Sequence, residues 1–174
     1  MSRGSIARFA SPARIKGLLA AGVAAALIAW PLVGWAQVAG PFARFDGHWK
    51  GVGRVSDVNG KSERITCRAD YSIPPSGNSV SQALVCASDS YRFEVQSDVV
   101  VEDGQRIQGK WEETTRHAQG DLVGRISNED FEGMVTGTGF TAGISIRMTG
   151  NKQAVVITPH GSDIVRVDIV MSRA

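Results

Sequence analysis

The chain has 174 residues, 43% of them apolar, two cysteines, and 19 Lys and Arg against 17 Asp and Glu, a formal net charge of +2. Four of the nineteen basic residues, Arg3, Arg8, Arg14 and Lys16, and none of the acidic ones lie in the first 36 positions, so the remainder carries fifteen against seventeen, a net of −2. No basic patch or arginine-rich run survives there, which excludes a nucleic-acid role on electrostatic grounds.

The four early charges lead into an uncharged run over residues 17–36, GLLAAGVAAALIAWPLVGWA, interrupted by Pro31 and closed by Gly34-Trp35-Ala36. A positive start, an apolar middle and a small-x-small end make residues 1–36 a secretory signal peptide, with Gln37 as the mature N-terminus. Twenty uncharged residues also suffice to span a bilayer, so a retained anchor is the alternative. There is no twin arginine, which points to the general secretory route and the periplasm, with release from the cell as the other destination. No cysteine follows the run to carry a lipid, and no transmembrane segment is expected after processing. Removing 36 of 174 residues leaves 138, enough for one domain. We expect residues 37–44 to be an N-terminal extension and residues 45–174 the domain.

The first motif of the domain is Phe45-Asp46-Gly47-His48-Trp49-Lys50-Gly51-Val52-Gly53. Following alternation from Trp49 puts Gly51, Gly53 and Val55 on its face. A weak echo, Ile107-Gln108-Gly109-Lys110-Trp111-Glu112-Glu113, again sets a glycine two residues before a tryptophan. Glycine there permits a bend or a close backbone approach, and the indole covers one end of a core, so Gly47, Trp49 and Gly109 read as structural. The first copy resembles the G-x-W opening strand of the lipocalins and wider calycin barrels. That resemblance implies a cup for a small apolar ligand, with Gly47 structural and Trp49 at the closed end. The same spacing is similar to the start of nitrobindin-type haem barrels, which use a histidine far along the chain. His160 is the candidate by position, but it sits in the turn sequence Thr158-Pro159-His160-Gly161, so no cofactor is expected.

Cys67 and Cys86 flank the turn-rich Pro74-Pro75-Ser76-Gly77-Asn78. A hairpin centred between Ser76 and Gly77 sets the two cysteines directly opposite, where Cβ atoms lie about 4.5 to 5.5 Å apart, near disulfide range. The same register gathers Ile65, Ala69, Tyr71, Ile73, Val80 and Leu84 on one face and leaves Arg64, Thr66, Arg68 and Asp70 on the other. An exported chain lets such a pair bridge.

Beyond Gln37 no segment keeps a 3.6-residue apolar period, whereas period-two alternation recurs. It runs through Tyr91, Phe93 and Val95, through Phe140, Ala142, Ile144, Ile146 and Met148, and through Val165, Val167, Ile169 and Met171. Turn signals fall at Asn59-Gly60, Asp103-Gly104, Gln119-Gly120, Asn128 to Asp130, Gly150-Asn151 and His160-Gly161. This predicts an all-β antiparallel up-and-down meander of about 8–10 strands closing into a barrel, with a two-sheet β-sandwich as the alternative.

Inward positions include Gly51, Gly53, Gly109 and Gly124, and small residues there either leave a cavity or let the walls meet. Tyr71, Tyr91, Phe93, Trp111 and Phe140 are the candidate ligand-lining residues, with plain core as the competing role. Alternation puts Glu113 on the face of Trp111, so it either lies at the barrel mouth or meets an inward cation. No catalytic site is expected: His48, His117 and His160 lie in or beside turns, both cysteines are committed, and no G-x-S-x-G elbow exists. No metal site is expected either, because H-x-H, H-E-x-x-H and C-x-x-C are absent. Asp46 with His48 and Glu113 with His117 are candidate local pairs. The reading is an exported, non-catalytic barrel that binds a small apolar ligand, against an envelope structural or interaction domain with a filled core. The chain names no protein partner.

Overall fold

Period-two alternation becomes ten strands in the computed structural model, which describes residues 40–174. The signal-peptide reading and its cleavage site lie outside those residues. The strands are β1 (Gly47–Asp57), β2 (Ser62–Ser72), β3 (Ser79–Ala87), β4 (Arg92–Asp103), β5 (Arg106–Glu113), β6 (Ala118–Ile126), β7 (Asp130–Gly137), β8 (Phe140–Thr149), β9 (Lys152–His160) and β10 (Ile164–Arg173). Each pairs antiparallel with its chain neighbour, and β1 pairs with β10 from Trp49 opposite Arg173 to Asp57 opposite Ile164. Ten is even, so the first and last strands of an up-and-down meander run antiparallel and close with the same ladder used elsewhere. The barrel is closed and leaves no edge, and the sandwich alternative is excluded.

Most inward side chains are apolar, among them Val55, Ile65, Leu84, Val99, Leu122, Ile126, Val155 and Ile169. Outward positions of β1 and β2 are mostly polar, with Lys50, Arg54, Arg64 and Arg68 exposed and Val52 the apolar exception on β1. On these two strands the order is the inverse of a membrane barrel, whose outer wall is apolar. Among the described residues no helix is long and apolar enough to cross a membrane.

Cys67 lies opposite Cys86 in the β2–β3 ladder, as the hairpin arithmetic requires, and the two are disulfide-bonded. Closing a loop with a sequence separation of 19 removes unfolded-state entropy corresponding to about 3 kcal/mol in the chain-entropy account.

Strand direction sorts the rims into two ends. One end collects Gly47, Ser72, Asp103, Ile126, Thr149 and Arg173; the other collects Asp57, Ala87, Glu113, Gly137 and His160. The first is closed by a 3-10 turn, Ala43–Phe45, which lays Phe42 and Phe45 across the barrel at 1% and 2% exposure. Phe42 donates its N–H to the Gly77 carbonyl at 3.1 Å. Arg173 donates to the carbonyls of Asp46 and, at 2.8 Å, of Arg44, which ties the plug to β10. Trp49 sits beneath it, 1% exposed, with its indole N–H on the Phe45 carbonyl at 2.7 Å and the Arg173 guanidinium 4.7 Å from its ring centroid. Gly47 opens β1 at φ +103°, a conformation L side chains rarely adopt, so its backbone makes the entry from the plug into the wall.

Several local expectations are corrected. Gln119-Gly120 is not a turn: both residues lie in β6, and the chain reverses one step earlier, between Glu113 and Ala118, with His117 at φ 56°. The reversals between Ala87 and Arg92 and between Gly137 and Phe140 also went unread. Val165 does not face inward. The β1–β10 register shifts between Ser56 and Asp57, so Val165 bulges outward at 40% exposure while Ile164 turns in. The inward glycines do not create empty volume: a Cβ on Gly109 would stand 2.2 Å from the Asp98 carbonyl oxygen on β4, so glycine there lets adjacent backbones close up.

Candidate functional site

Between the plug and the far rim the barrel encloses a cavity of about 480 Å³. Its floor is Phe42, Phe45 and Tyr71, its middle is aliphatic, and its mouth carries Tyr91, Phe93, Phe140 and Pro159. All five aromatics singled out from alternation line it: Tyr71 near the floor, and Tyr91, Phe93, Trp111 and Phe140 toward the mouth. They are at once wall and core, since Tyr71 and Trp111 are 9% and 8% exposed.

One interior row shows how the ladder distributes these groups. Register places Gly47 opposite Tyr71, then Gln82, Ser97, Trp111, Gly120, Gly137 and Phe140 in succession across seven ladders. Because the strands tilt, this row climbs from the closed end at β1 to the mouth at β8. Trp111 lies along the row. Its indole N–H donates to the Thr136 carbonyl at 3.2 Å, and its ring packs edge-on against Phe140, centroids 5.9 Å apart. Cβ atoms on Gly120 and Gly137 would each come within 3.0 Å of that indole, so two side-chain-free positions give the ring a berth against the wall.

Polar groups reach the cavity at three depths. At the floor the Tyr71 hydroxyl donates to Gln153 Oε1 at 3.3 Å, and burial pushes the phenol up to about 12 although the Gln153 bond opposes the shift. Gln153, 1% exposed, makes its other contact with Met171 Sδ at 3.6 Å. At mid-wall the Ser97 hydroxyl donates to Gln82 Oε1 at 2.9 Å. At the mouth stand Glu113 and Arg116.

Glu113 is the last residue of β5 and so stands at the rim. Its carboxylate accepts from the backbone N–H of Glu94 at 3.1 Å, Thr115 at 3.2 Å and Arg116 at 2.8 Å, and from the Thr115 hydroxyl; the Arg116 guanidinium is 3.7 Å away. Both proposed solutions hold together, a mouth position and a cation, but the cation comes from the adjoining turn. Burial is the largest influence on the carboxyl and raises its pKa, yet the hydrogen bonds from Thr115, Glu94 and Arg116 outweigh it and hold the carboxyl below its usual 4.5. A depressed folded-state pKa contributes stability above the unfolded value that is lost as pH falls through the folded one. Urea unfolding should therefore show Glu113→Gln clearly less stable than the parent at pH 7, with the gap narrowing below pH 4.5; a gap independent of pH would assign the loss to shape alone.

The histidines are arranged differently from expectation. His48 pairs with Asp70 across β1–β2 on the outer wall, not with Asp46, and Glu113 engages Thr115 and Arg116 instead of His117. His160, the position implied by the haem-barrel resemblance, is exposed at the end of β9 and does not line the cavity. Gln82, Ser97 and Arg116 were missed. The signal for Gln82 was present, because the cysteine register already puts it opposite Tyr71 on the inner face.

The sequence matches no family model, and no curated protein resembles it significantly. Among solved structures the fold is similar to an S-type phycobiliprotein lyase from Guillardia theta, with a TM-score of 0.52 and 10% identity over 76% of this chain and 90% of that one. At that identity the likeness concerns the fold alone, an antiparallel barrel closed between its first and last strands.

Proposed function

We propose that this protein is an exported carrier that holds a small apolar molecule in its barrel without transforming it. The observation that carries this reading is the cavity. About 480 Å³ of space walled by aromatic and aliphatic side chains falls within the roughly 300–1,000 Å³ usual for small-molecule sites. It also counts against the filled-core interaction domain. Export is supported by the leader-like composition of residues 1–36 and by the Cys67–Cys86 disulfide, which an oxidising compartment sustains. Tyr71, Tyr91, Phe93, Trp111 and Phe140 are the proposed ligand contacts.

The neighbour's description as a lyase favours a second reading, in which the bound molecule is chemically altered. Native mass spectrometry of protein taken from its own cell envelope without detergent or refolding tests both. The carrier reading expects a mature chain beginning at Gln37, two hydrogens light, carrying one small apolar molecule that dissociates unchanged. A clean apo mass would count against the carrier, and a ligand returned with altered mass after incubation would favour the enzyme.

A further inference from the structure

We infer that the cavity selects a neutral molecule with a hydrogen-bond acceptor in the middle of its length, a ketone, ester or amide carbonyl flanked by hydrocarbon on both sides. The inference rests on the carrier reading and comes from the uneven placement of polar groups along the wall.

At the floor, Tyr71 and Gln153 satisfy one another. At the mouth, Glu113 is satisfied by the β5–β6 turn together with the Glu94 N–H of β4, and Arg116 is engaged by Glu113 and by the carbonyl of Arg92 at 3.2 Å. Between these depths Gln82 and Ser97 are the polar residues of an otherwise apolar lining. They sit at mid-strand in β3 and β4, directly opposite one another. The Ser97 hydroxyl occupies the amide oxygen of Gln82 and so orients the amide. The described residues offer the amide nitrogen no partner, while none of their fully buried side-chain polar atoms lacks one. That nitrogen therefore faces accessible space, and the space beside Gln82 is the cavity.

A donor in apolar surroundings rewards an acceptor that reaches it and penalises a ligand that covers it with hydrocarbon. Apolar wall continues below it to Phe42 and Phe45 and above it to Trp111 and Phe140, so the acceptor must be internal to the ligand. A terminal carboxylate reaching this depth would lie in apolar surroundings beside a single neutral donor and no cation, which disfavours fatty acids entering head first.

Two positional isomers, 7-tridecanone and 2-tridecanone, isolate the effect because they share mass and closely similar hydrophobicity. Each is titrated against the fluorescent probe N-phenyl-1-naphthylamine bound to the disulfide-intact protein. The expected result is about fivefold tighter binding of the central ketone, the worth of one neutral hydrogen bond. The preference should vanish in Gln82→Leu while the probe still binds, and weaken in Ser97→Val, which frees the amide to turn. Equal binding of the two ketones, or a preference that survives Gln82→Leu in folded protein, would overturn the inference and leave the carrier reading standing. Failure of the probe and both ketones to bind the parent would remove the carrier reading itself.

Discussion

Trp49→Ala is expected to destabilise the barrel by about 4 kcal/mol, the range for deleting a fully buried large aromatic, and to lower Tm on the order of 10–15 °C. Three attachments fail together. The core loses a ring that is 1% exposed, the Phe45 carbonyl loses the donor at 2.7 Å, and the Arg173 guanidinium loses the face it covers at 4.7 Å. Arg173 also holds the plug through the carbonyls of Arg44 and Asp46, so the closed end should loosen as a unit. Hydrogen exchange would show this as lost protection at Phe42, Phe45 and Ala174, whose amides bond the Gly77, Phe42 and His48 carbonyls. Trp49→Phe keeps most of the apolar area and should recover more than half the loss. An alanine variant within about 1 kcal/mol of the parent would mean that the plug stands without this residue.

The fold was legible because its main signals are local and repeat. Period-two alternation needs only neighbouring residues, and the cysteine pair ties β2 to β3 in a register that a single turn fixes. What the sequence concealed lies in contacts between strands distant from the reader's window. Val165 alternates with Val167 on paper, and nothing in the sequence announces the bulge that turns it outward, since that depends on how β10 meets β1 at ring closure. The five aromatic wall residues were readable as inward-facing, but whether inward meant filled or hollow is a property of ten strands at once. Gln82 was overlooked for a related reason. A polar residue between Val80 and Leu84 interrupts an apolar list, and only its partner Ser97 on another strand makes it a feature of the site.

Gly120 shows how one residue type conceals two causes, and its replacement should separate them. Read as half of a Gln119-Gly120 turn, it would tolerate alanine poorly because of its backbone dihedrals. In the structure it sits in β6 with no positive φ, opposite Gly137, and an added Cβ would lie 1.6 Å from the Thr136 carbonyl oxygen and 3.0 Å from Trp111 Nε1. The obstructing atom is backbone in the adjacent strand, so no side-chain rotation relieves the clash. The β6–β7 ladder must part, and the indole that donates to the same Thr136 carbonyl must leave its berth. Gly120→Ala is therefore expected to cost about 3 kcal/mol, the upper part of the overpacking range, and to drive the indole toward the cavity. Gly143, on the outer wall of β8, supplies the contrast, because a Cβ there meets nothing within 4 Å. Its backbone is extended, so Gly143→Ala should leave stability unchanged or raise it by about 0.4–1 kcal/mol through the unfolded state. Urea unfolding of the two variants side by side reads the difference. Equal losses would trace both to glycine's backbone freedom, whereas opposite signs would place the requirement at Gly120 in the approach of a neighbouring carbonyl and the ring it accepts from.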